Sequence, residues 1–588
     1  MSSWASTQRS AALNDIILGH MKEKNIQIRI IRNFTIEPME PYLVNALKQD
    51  GIIPAVNYGG FSSAFSEVVS LAQAPESDDA SIYVLALGLE EAGPDFGHAG
   101  WPVAAHCEQL LSTLRLAIKS CRGLICINTL LAPLHDSWGM ARGDAYVDNV
   151  ATVEAANVQI RELAQLGCGR VALCDWSRYA RVHGESGTYD LRFWMSSGAP
   201  FSPPFLKSYA LDIAKVVRAG AGILRKCIVL DCDNTLWGGV VGEDGLDGIA
   251  LSGVSVPGRY YQEFQKSIVD LVERGVLVAL CSKNDEQDVF AVLERHPDSV
   301  LKRQHIAAFR INWKSKPENL RELAKELGIG LDSFVFIDDS AIECDQVATL
   351  VPEVKVARVP ERLEDLPFFL HRNGFFESLV VTRDDHARTN SYQQQTKRRV
   401  FEETATDLEG YLRKIGTRIL VRRCRMEDVG RVVQLTQRTN QFNLTGGRYN
   451  ESQIRNLRDS DSARVYCGEI DDQFGALGLT AVILVRHVAR VICIEAFMVS
   501  CRALGRQAEF AFVGAVFSEL HRQWGDSELA ASFVPSEKNK VAATFWTECG
   551  LSKLPRSDGV AQNFSSPKLS VILPKLSRPY IALEIQND

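Results

Sequence analysis

The chain has 588 residues, which is too long for a single hydrophobic core and predicts three or four domains. Its composition is that of an ordinary globular protein, with 46% hydrophobic and 23% charged residues. The net charge of −7 and the isoelectric point near 6.0 exclude a strongly basic protein, so neither nucleic acid nor an anionic membrane surface is an expected partner.

Targeting features do not point to export or to a membrane. Residues 1–25 mix charged and apolar side chains and lack the apolar core and cleavage site of a secretory signal. No apolar run reaches the ~18 residues that are needed to cross a bilayer. The 14 cysteines contain no Cys-x-x-Cys pair, and most lie in apolar runs, as reduced buried thiols do. These features predict a cytoplasmic protein.

The first predicted domain covers residues 1–215. Short strand-like runs alternate with helical patterns, which predicts a parallel sheet covered by helices. Polar residues stand where open α/β sheets place ligands, namely Asn33, Asn128 and Asp175. The order of elements resembles the SGNH/GDSL hydrolase fold, but the sequence Arg32-Asn33-Phe34-Thr35 replaces the usual Gly-Asp-Ser. His183 is a candidate base that also fits a surface loop, so a catalytic role for this domain is disfavoured.

The second predicted domain covers residues 222–375 and is again α/β. Three strand-like runs each end in polar residues: Asp231 and Asp233 after the first, Ser282, Lys283 and Asn284 after the second, and Asp338 and Asp339 after the third. Between the second and third runs, Lys316-Pro317 opens a helix, a position that proline tolerates. Because the carboxyl ends of parallel strands meet at one sheet edge, these residues should form one cluster.

Such a cluster suits phosphoryl transfer. Three carboxylates among oxygen donors suit Mg²⁺, which keeps waters and recruits phosphate oxygens. One carboxylate can attack phosphorus while a second protonates the leaving oxygen. Ser282 and Lys316 can hold the charge of the transferred group. The alternative, a set of strand-end caps and surface acids, is disfavoured because all of these elements occur together in this order.

The pattern Asp231, Asp233, Thr235, followed by a strand-end serine, a lysine and paired aspartates, resembles the haloacid dehalogenase superfamily of phosphoryl-transfer enzymes. The resemblance implies that Asp231 is the nucleophile and Asp233 the acid/base. It implies a substrate-binding set of Thr235, Ser282, Lys283, Asn284 and Lys316. It also implies that Mg²⁺ is held by Asp231, Asp338 and the backbone carbonyl of Asp233. Lys314 is a weaker candidate for the lysine, and Asp339 and Glu343 are expected just outside the ligand set.

Residues 376–414 are polar and charged and are predicted to be a linker, and 415–588 form the third predicted domain. The stretches DCDNTLWGGVVGEDG, NWKSKPENL and PSEKNKVAATFWTECGL resemble the FkbH-like enzymes of polyketide assembly, whose last domain is acetyltransferase-like α+β. This resemblance implies transfer of a glyceryl unit from 1,3-bisphosphoglycerate, with loss of phosphate, to an acyl carrier protein as a thioester. Two alternatives stay open: a Mg²⁺-dependent phosphatase of small molecules, and a non-enzymatic scaffold that docks the carrier protein.

Cys232 stands between the two acids of the first strand. A thiolate can displace the phosphate of an acyl phosphate, and the resemblance implies that Cys232 carries the glyceryl group. In a regular strand, however, Cys232 points away from Asp231 and Asp233, so a packing role is the alternative.

The turn at 502–506 in the third domain leads into a helix and could present backbone N–H groups to a pyrophosphate. Only Gly505 of a fuller glycine-rich loop is present there, which favours a carrier protein's phosphopantetheine arm over acetyl-CoA.

Overall fold

The computed structural model describes residues 24–379 and 408–586, together with 381 and 392, except for 49, 61–63, 74–81, 92–95, 99, 122, 136–137, 141–146, 168, 489, 505, 537 and 555–560. It divides into two compact units. The first is Met1–Ile223 with Glu377–Leu379, and the second is Leu224–Phe376 with Val380–Asp588. The described residues form three separate sheets, which confirms the predicted three-domain α/β architecture.

The first unit contains a five-stranded parallel sheet in the order β2-β1-β3-β4-β5. Its strands are β1 Lys24–Arg32, β2 Ile52–Tyr58, β3 Ile82–Ala86, β4 Leu124–Asn128 and β5 Val171–Cys174. Its helices are α1 Glu40–Lys48, α2 Ala64–Gln73, α3 Val103–Ser120, α4 Asn149–Leu166, α5 Trp176–Thr188, α6 Leu191–Ser197 and α7 Pro203–Gly220. Every residue of the central strand β3 is buried, as expected for a parallel strand with both faces covered.

The second unit begins with another five-stranded parallel sheet, in the order β10-β9-β6-β7-β8. Its strands are β6 Cys227–Leu230, β7 Leu277–Ser282, β8 Ile306–Ile311, β9 Phe334–Asp338 and β10 Lys355–Arg358. The helices around it are α8 Val241–Asp244, α9 Gly258–Glu273, α10 Glu286–Arg295, α11 Lys316–Leu327, α12 Ala341–Leu350 and α13 Phe369–Asn373. We refer to this part as the middle domain.

The same unit continues into an eight-stranded mixed sheet, in the order β16-β17-β15-β14-β13-β12-β11-β18. Its strands are β11 Arg418–Arg423, β12 Ala463–Asp472, β13 Gly475–Val488, β14 Val491–Val499, β15 Glu528–Phe533, β16 Ser552–Lys553, β17 Gln562–Ser566 and β18 Ala582–Gln586. Its helices are α14 Leu408–Ile415, α15 Val429–Arg438, α16 Glu451–Asp459, α17 Ala508–Trp524, α18 Phe545–Glu548 and α19 Leu569–Leu576. We call this part the C-terminal domain.

Strand β6 illustrates how the middle sheet is sandwiched between two apolar layers. Ile228 and Leu230 belong to one core cluster, whereas Cys227 and Val229 belong to the cluster on the other face. This alternation follows from the two-residue period of a strand. Since both faces of β6 are buried, polar groups can reach solvent only where the strand ends. In the part of the chain that the structure describes, no helix is both long and apolar enough to cross a membrane.

Candidate active site

The carboxyl ends of three neighbouring strands meet at one edge of the middle sheet. Strand β6 leads into Asp231, β7 ends at Ser282 and β9 ends at Asp338. The backbone N–H of Asp231 still donates to the carbonyl of Ile337 at 3.0 Å, so Asp231 stays in register beside β9. Three of the residues that the sequence predicted to form one cluster, one from each strand, are therefore brought to the same edge.

Helix α11 adds the lysine to this edge. The helix begins at Lys316 with Pro317 in its first turn, and the side chain of Ser315 caps it by accepting from the N–H of Glu318. Lys316 is fully buried; its ammonium group contacts the Asp231 carboxylate and donates to the Cys281 carbonyl at 2.6 Å. It also lies 3.3 Å from Asp338 Oδ2 and 3.3 Å from Glu343 Oε2.

Lys314, the weaker candidate, lies elsewhere. Its exposed ammonium group bonds to Glu322 at 3.0 Å, so the lysine at the cluster is Lys316.

The electrostatics of the cluster follow from its burial. Desolvation raises the pKa of Asp231 even though the Lys316 ammonium opposes it. Desolvation raises the pKa of Asp338 to about 6, with Lys316 again acting in the opposite direction and Asp231 adding to the rise. For Glu343, desolvation is outweighed by the attraction of Lys316, so its pKa lies below the usual value. Burial alone would lower the pKa of Lys316, but Asp231 and the other nearby acids raise it above its usual value.

The acidic residues of this edge fit a divalent cation. Asp231, Asp338 and Glu343 each offer a carboxylate oxygen, and these atoms lie within 4.8 Å of one another. Asp338 Oδ2 is buried and makes no hydrogen bond, although buried polar atoms are normally paired. An all-oxygen donor set of this kind suits Mg²⁺. Glu343 was expected outside the ligand set, but its position makes it a further candidate ligand.

Asp233 is held by Asn284, which the sequence analysis named as a site residue, and by two groups that it did not identify, Trp237 and Val241. Its Oδ1 accepts from Trp237 Nε1 at 2.8 Å and from the N–H of Val241 at 3.1 Å, and its Oδ2 accepts from Asn284 Nδ2 at 2.8 Å. The chain reaches this arrangement through Asn234, whose φ is +53°, in the left-handed region that asparagine tolerates better than most residues. The carboxylate is thereby fixed in one orientation beside Asp231.

Cys232 belongs to the apolar layer on one face of β6, and its thiol also contacts the Ser282 side chain. It is fully buried and packs in the same cluster as Leu230 and Leu236. Desolvation, with the negative charge of Asp231 adding to it, raises the pKa of the thiol well above its usual value. A raised pKa keeps the thiol protonated, which opposes its action as a nucleophile. The structure therefore favours the packing role over the acyl-carrying role that the resemblance implied.

The other predicted substrate-binding residues occupy different environments. Thr235 is fully buried, and its hydroxyl makes no hydrogen bond. Ser282 and Asn284 are also buried. Lys283 is partly exposed, and its ammonium group lies 2.6 Å from Glu343 Oε1. The structure thus places all five predicted side chains around this edge of the sheet, while their roles in binding stay predictions.

The polar strand-end residues of the first unit hold its loops in place. Asn33 donates to the Gly88 carbonyl and accepts from the Gly88 N–H. Asn128 makes the same pair of hydrogen bonds with Leu87. Asp175 accepts from the Thr129 hydroxyl at 3.1 Å. The bonds of the two asparagines support the backbone, as expected for structural residues, whereas Asp175 interacts with the side chain of Thr129.

His183 lies on α5, and its Nε2 is 2.8 Å from the Ser208 hydroxyl.

In the C-terminal domain, Gly505 of the predicted pyrophosphate turn lies outside the described residues.

Comparison with known proteins agrees with this geometry. Residues 226–352 match the family of NLI interacting factor-like phosphatases. The N-terminal part of a Bacteroides fragilis protein, which contains a phosphatase domain and was solved in complex with Mg, is 21% identical, with a TM-score of 0.55. That match covers 61% of this chain and 95% of that chain. The middle domain is therefore similar in sequence to NLI interacting factor-like phosphatases, and part of the chain shares the fold of the Bacteroides fragilis structure that contains a phosphatase domain.

Smaller parts of the chain are similar to acetyltransferases. The ribosomal-protein-S18-alanine N-acetyltransferase of Escherichia coli is 12% identical over 25% of this chain and 93% of that chain, with a TM-score of 0.21. An N-acetyltransferase of Thermoplasma acidophilum, solved with coenzyme A, is 11% identical over 25% of this chain and 98% of that chain, also with a TM-score of 0.21. No curated protein has a matching sequence.

Proposed function

We propose that the protein is a Mg²⁺-dependent phosphatase that acts through an aspartyl-phosphate formed on Asp231. The observation that carries this proposal is the convergence of Asp231, Asp338 and the buried Lys316 at one sheet edge, where Asp338 Oδ2 makes an ion pair with Lys316 but no hydrogen bond. The match of this segment to a phosphatase family supports it. The complex of the Bacteroides fragilis phosphatase domain with Mg supports the choice of ion.

The residues of the site suggest a two-step reaction. When bound, Mg²⁺ would be held by Asp231, Asp338 and the carbonyl of Asp233. It would offset the negative charge on the oxygens of the phosphate. A free oxygen of Asp231 attacks phosphorus and forms an acyl phosphate as the ester P–O bond breaks. Asp233, when protonated, gives its proton to the leaving oxygen. It then takes a proton from the water that hydrolyses the acyl phosphate, which releases phosphate and regenerates Asp231. Lys316 and Ser282 hold the charge of the transferred group.

Substitution of the nucleophile tests this proposal. Asp231→Asn keeps the shape but removes the attacking charge, so phosphate release from p-nitrophenyl phosphate in Mg²⁺ should fall by about three orders of magnitude or more. Asp247→Asn, an exposed acid of the same domain, is the matched control and should keep the wild-type rate. Near-normal phosphate release by a correctly folded Asp231→Asn variant would refute the aspartyl-phosphate mechanism.

We further propose, as a narrower function, that the phosphatase acts during transfer of a glyceryl unit from 1,3-bisphosphoglycerate to an acyl carrier protein. The motifs shared with FkbH-like enzymes in the middle and C-terminal domains favour this substrate. Because the Cys232 thiol is buried, the carrier thiol itself would lose its proton to solvent, attack the acyl carbon of the acyl phosphate and displace inorganic phosphate. The thioester bond then forms as the acyl C–O bond to phosphate breaks.

Intact-protein mass spectrometry separates the two functions. The enzyme is incubated with Mg²⁺, 1,3-bisphosphoglycerate and a carrier protein that bears its phosphopantetheine arm. A glyceryl adduct on the carrier supports transfer, whereas phosphate release without an adduct leaves the general phosphatase. An adduct on the enzyme that disappears in Cys232→Ala would restore the thiol as acyl carrier. With neither release nor adduct, the scaffold alternative would replace both proposals.

A further inference from the structure

A cavity lies at one edge of the middle sheet. The acid cluster formed by Asp231, Asp338 and Glu343 lies at the opposite edge. The wall of the cavity includes Lys226, Leu277 and Ser333, which stand at the amino ends of β6, β7 and β9. Lys226 and Asp231 are separated by the whole of β6, or about 16 Å at the rise of an extended strand. The cavity is therefore distinct from the proposed phosphatase site.

The cavity is formed by two domains of the same compact unit. It has a volume of about 340 Å³, and residues of α15 and of the segment after β14 complete its wall. Lys226 Nζ donates to the Arg438 carbonyl at 2.8 Å, and Lys538 forms an ion pair with Asp332. Its volume falls within the range of small-molecule sites, which are common at domain junctions.

Among the described residues of the cavity wall, cationic side chains outnumber acidic ones. Four of its side chains are cationic and one is a carboxylate: the cations are Lys226, Arg431, Arg438 and Lys538, and the carboxylate is Asp332. Clefts lined by one sign of charge concentrate ligands of the opposite sign.

A further cation lies directly behind this wall. Arg448 donates to the carbonyls of Thr436 and Thr439 and to Asn440 Oδ1, all of which are neutral oxygens. Desolvation lowers the pKa of Arg448 to about 10. Thr439 and Asn440 line the cavity, and the positive charge of Arg448 thus adds to the field of the wall.

We propose that this cavity binds a small molecule that carries a phosphate or diphosphate group. Lysine and arginine provide the charge-assisted hydrogen bonds by which proteins recognise phosphate. Asp332 keeps one lysine in place while leaving the cavity net positive. This site does not depend on the proposed phosphatase activity, because none of its residues belongs to the acid cluster.

Cys501 makes binding measurable at this position. Its thiol lies on the cavity wall, 3.4 Å from the Tyr392 hydroxyl. Among the described cysteines, Cys493 and Cys501 are partly exposed, whereas the others are buried. Alkylation by iodoacetamide, followed by peptide mass spectrometry, therefore reports on Cys501 with Cys493 as an internal control.

The test uses the full-length protein with inorganic pyrophosphate, in EDTA and at constant ionic strength. At ten times its Kd, pyrophosphate should reduce the alkylation rate of Cys501 to about a tenth by mass action, without an effect on Cys493. Unchanged alkylation of Cys501, or equal protection by sodium chloride, would overturn the proposal. Protection by citrate but not by pyrophosphate would also contradict it, because the ligand class would then be a carboxylate.

Two variants distinguish an effect of charge from an effect of structure. Each breaks the ion pair between Lys538 and Asp332, but the two change the charge of the cavity in opposite directions. Lys538→Gln should weaken pyrophosphate binding about tenfold, because one charge-assisted hydrogen bond is lost. Asp332→Asn should tighten binding severalfold, because the cavity loses its carboxylate. Lys540→Gln, an exposed lysine close in sequence, is the control and should not change the Kd. A shift of the Kd in the same direction in both test variants would indicate only a loosened wall, and the site would be rejected.

Discussion

Three carboxylates of the middle domain share one cation, the fully buried ammonium group of Lys316. It contacts Asp231, Asp338 and Glu343 in a place where water does not screen the charges. Carboxylates that meet in a low dielectric repel one another strongly. One lysine therefore serves two purposes, because it stabilises the crowded acids and supplies a positive charge for a phosphate.

Replacement of Lys316 should destabilise the folded protein. Lys316→Met leaves buried carboxylates without their cation, so the free energy of unfolding should fall by about 3–5 kcal/mol. Urea denaturation checks this value, and addition of Mg²⁺ should restore part of the loss by replacing the missing charge. The control is Lys314→Met, which removes a surface ion pair worth about 0–1 kcal/mol. Equal effects of the two substitutions would contradict the assigned role of Lys316.

Cys232 should matter for packing rather than for chemistry. Cys232→Ala removes one buried sulfur from a cluster of apolar side chains, so stability should fall by about 1–2 kcal/mol. Phosphate release from p-nitrophenyl phosphate should stay within a few-fold of wild type, since Asp231 and Asp233 remain. A loss of more than a hundredfold in phosphate release, with unchanged unfolding curves, would show that the thiol takes part in the reaction.

Sequence reasoning at the residue scale succeeded where the arrangement depends on regular geometry. Lys316-Pro317 was correctly predicted to open a helix, whereas the role of Cys232, as an acyl-carrying thiol or as a packing residue, stays a prediction. The anchoring of Asp233 by Trp237 and Val241 was not predicted, because it depends on a turn through Asn234 with positive φ. Nothing in the spacing of these residues specifies that turn. The asparagine itself was the one available signal.

At the scale of single elements, buried strands were the most predictable. The apolar runs before Asp231, Ser282 and Asp338 all proved to be strands of a parallel sheet, because strands buried on both faces have continuous apolar sequences. Strands such as β8 and β18 were not predicted. Strand β18 is exposed throughout, so its place beside β11 is determined by tertiary pairing rather than by a local pattern.

The loop after β3 in the first unit contains an acid whose ionisation opposes folding. Glu90 is almost fully buried; its Oε1 accepts from the Tyr189 hydroxyl at 2.9 Å, and its Oε2 makes no hydrogen bond. Desolvation raises the pKa of Glu90 to about 7. The folded state therefore keeps this proton at pH values where an unfolded glutamate, with a pKa near 4.5, has lost it.

This difference predicts a pH-dependent stability. The unfolded state binds fewer protons than the folded state between pH 4.5 and 7, so stability falls as the pH rises through that window. Glu90→Gln keeps an acceptor for Tyr189 but cannot ionise. The variant should match wild type near pH 4 and exceed it at pH 8, by on the order of 3 kcal/mol. Urea denaturation at several pH values checks this, and a constant difference between pH 4 and 8 would refute it.

At the scale of the whole molecule, the middle and C-terminal domains belong to one compact unit. Lys226 and Lys538 each bond across their junction, and Tyr392 packs in a core cluster of the middle domain while its hydroxyl lies 3.4 Å from Cys501. Contacts that cross a junction in this way transmit the loss of packing in one domain to its neighbour. The two domains should therefore unfold together.

Two matched core substitutions test this cooperativity. Phe336 and Phe497 are fully buried in the middle sheet and the C-terminal sheet, respectively. Replacement of either by leucine should destabilise the protein by about 1–3 kcal/mol. If the domains are coupled, both variants lower the midpoint of the same calorimetric transition. Two transitions, each lowered by only one of the variants, would show that the domains unfold independently. In that case the phosphate-binding cavity between them would have to form from two separately stable parts.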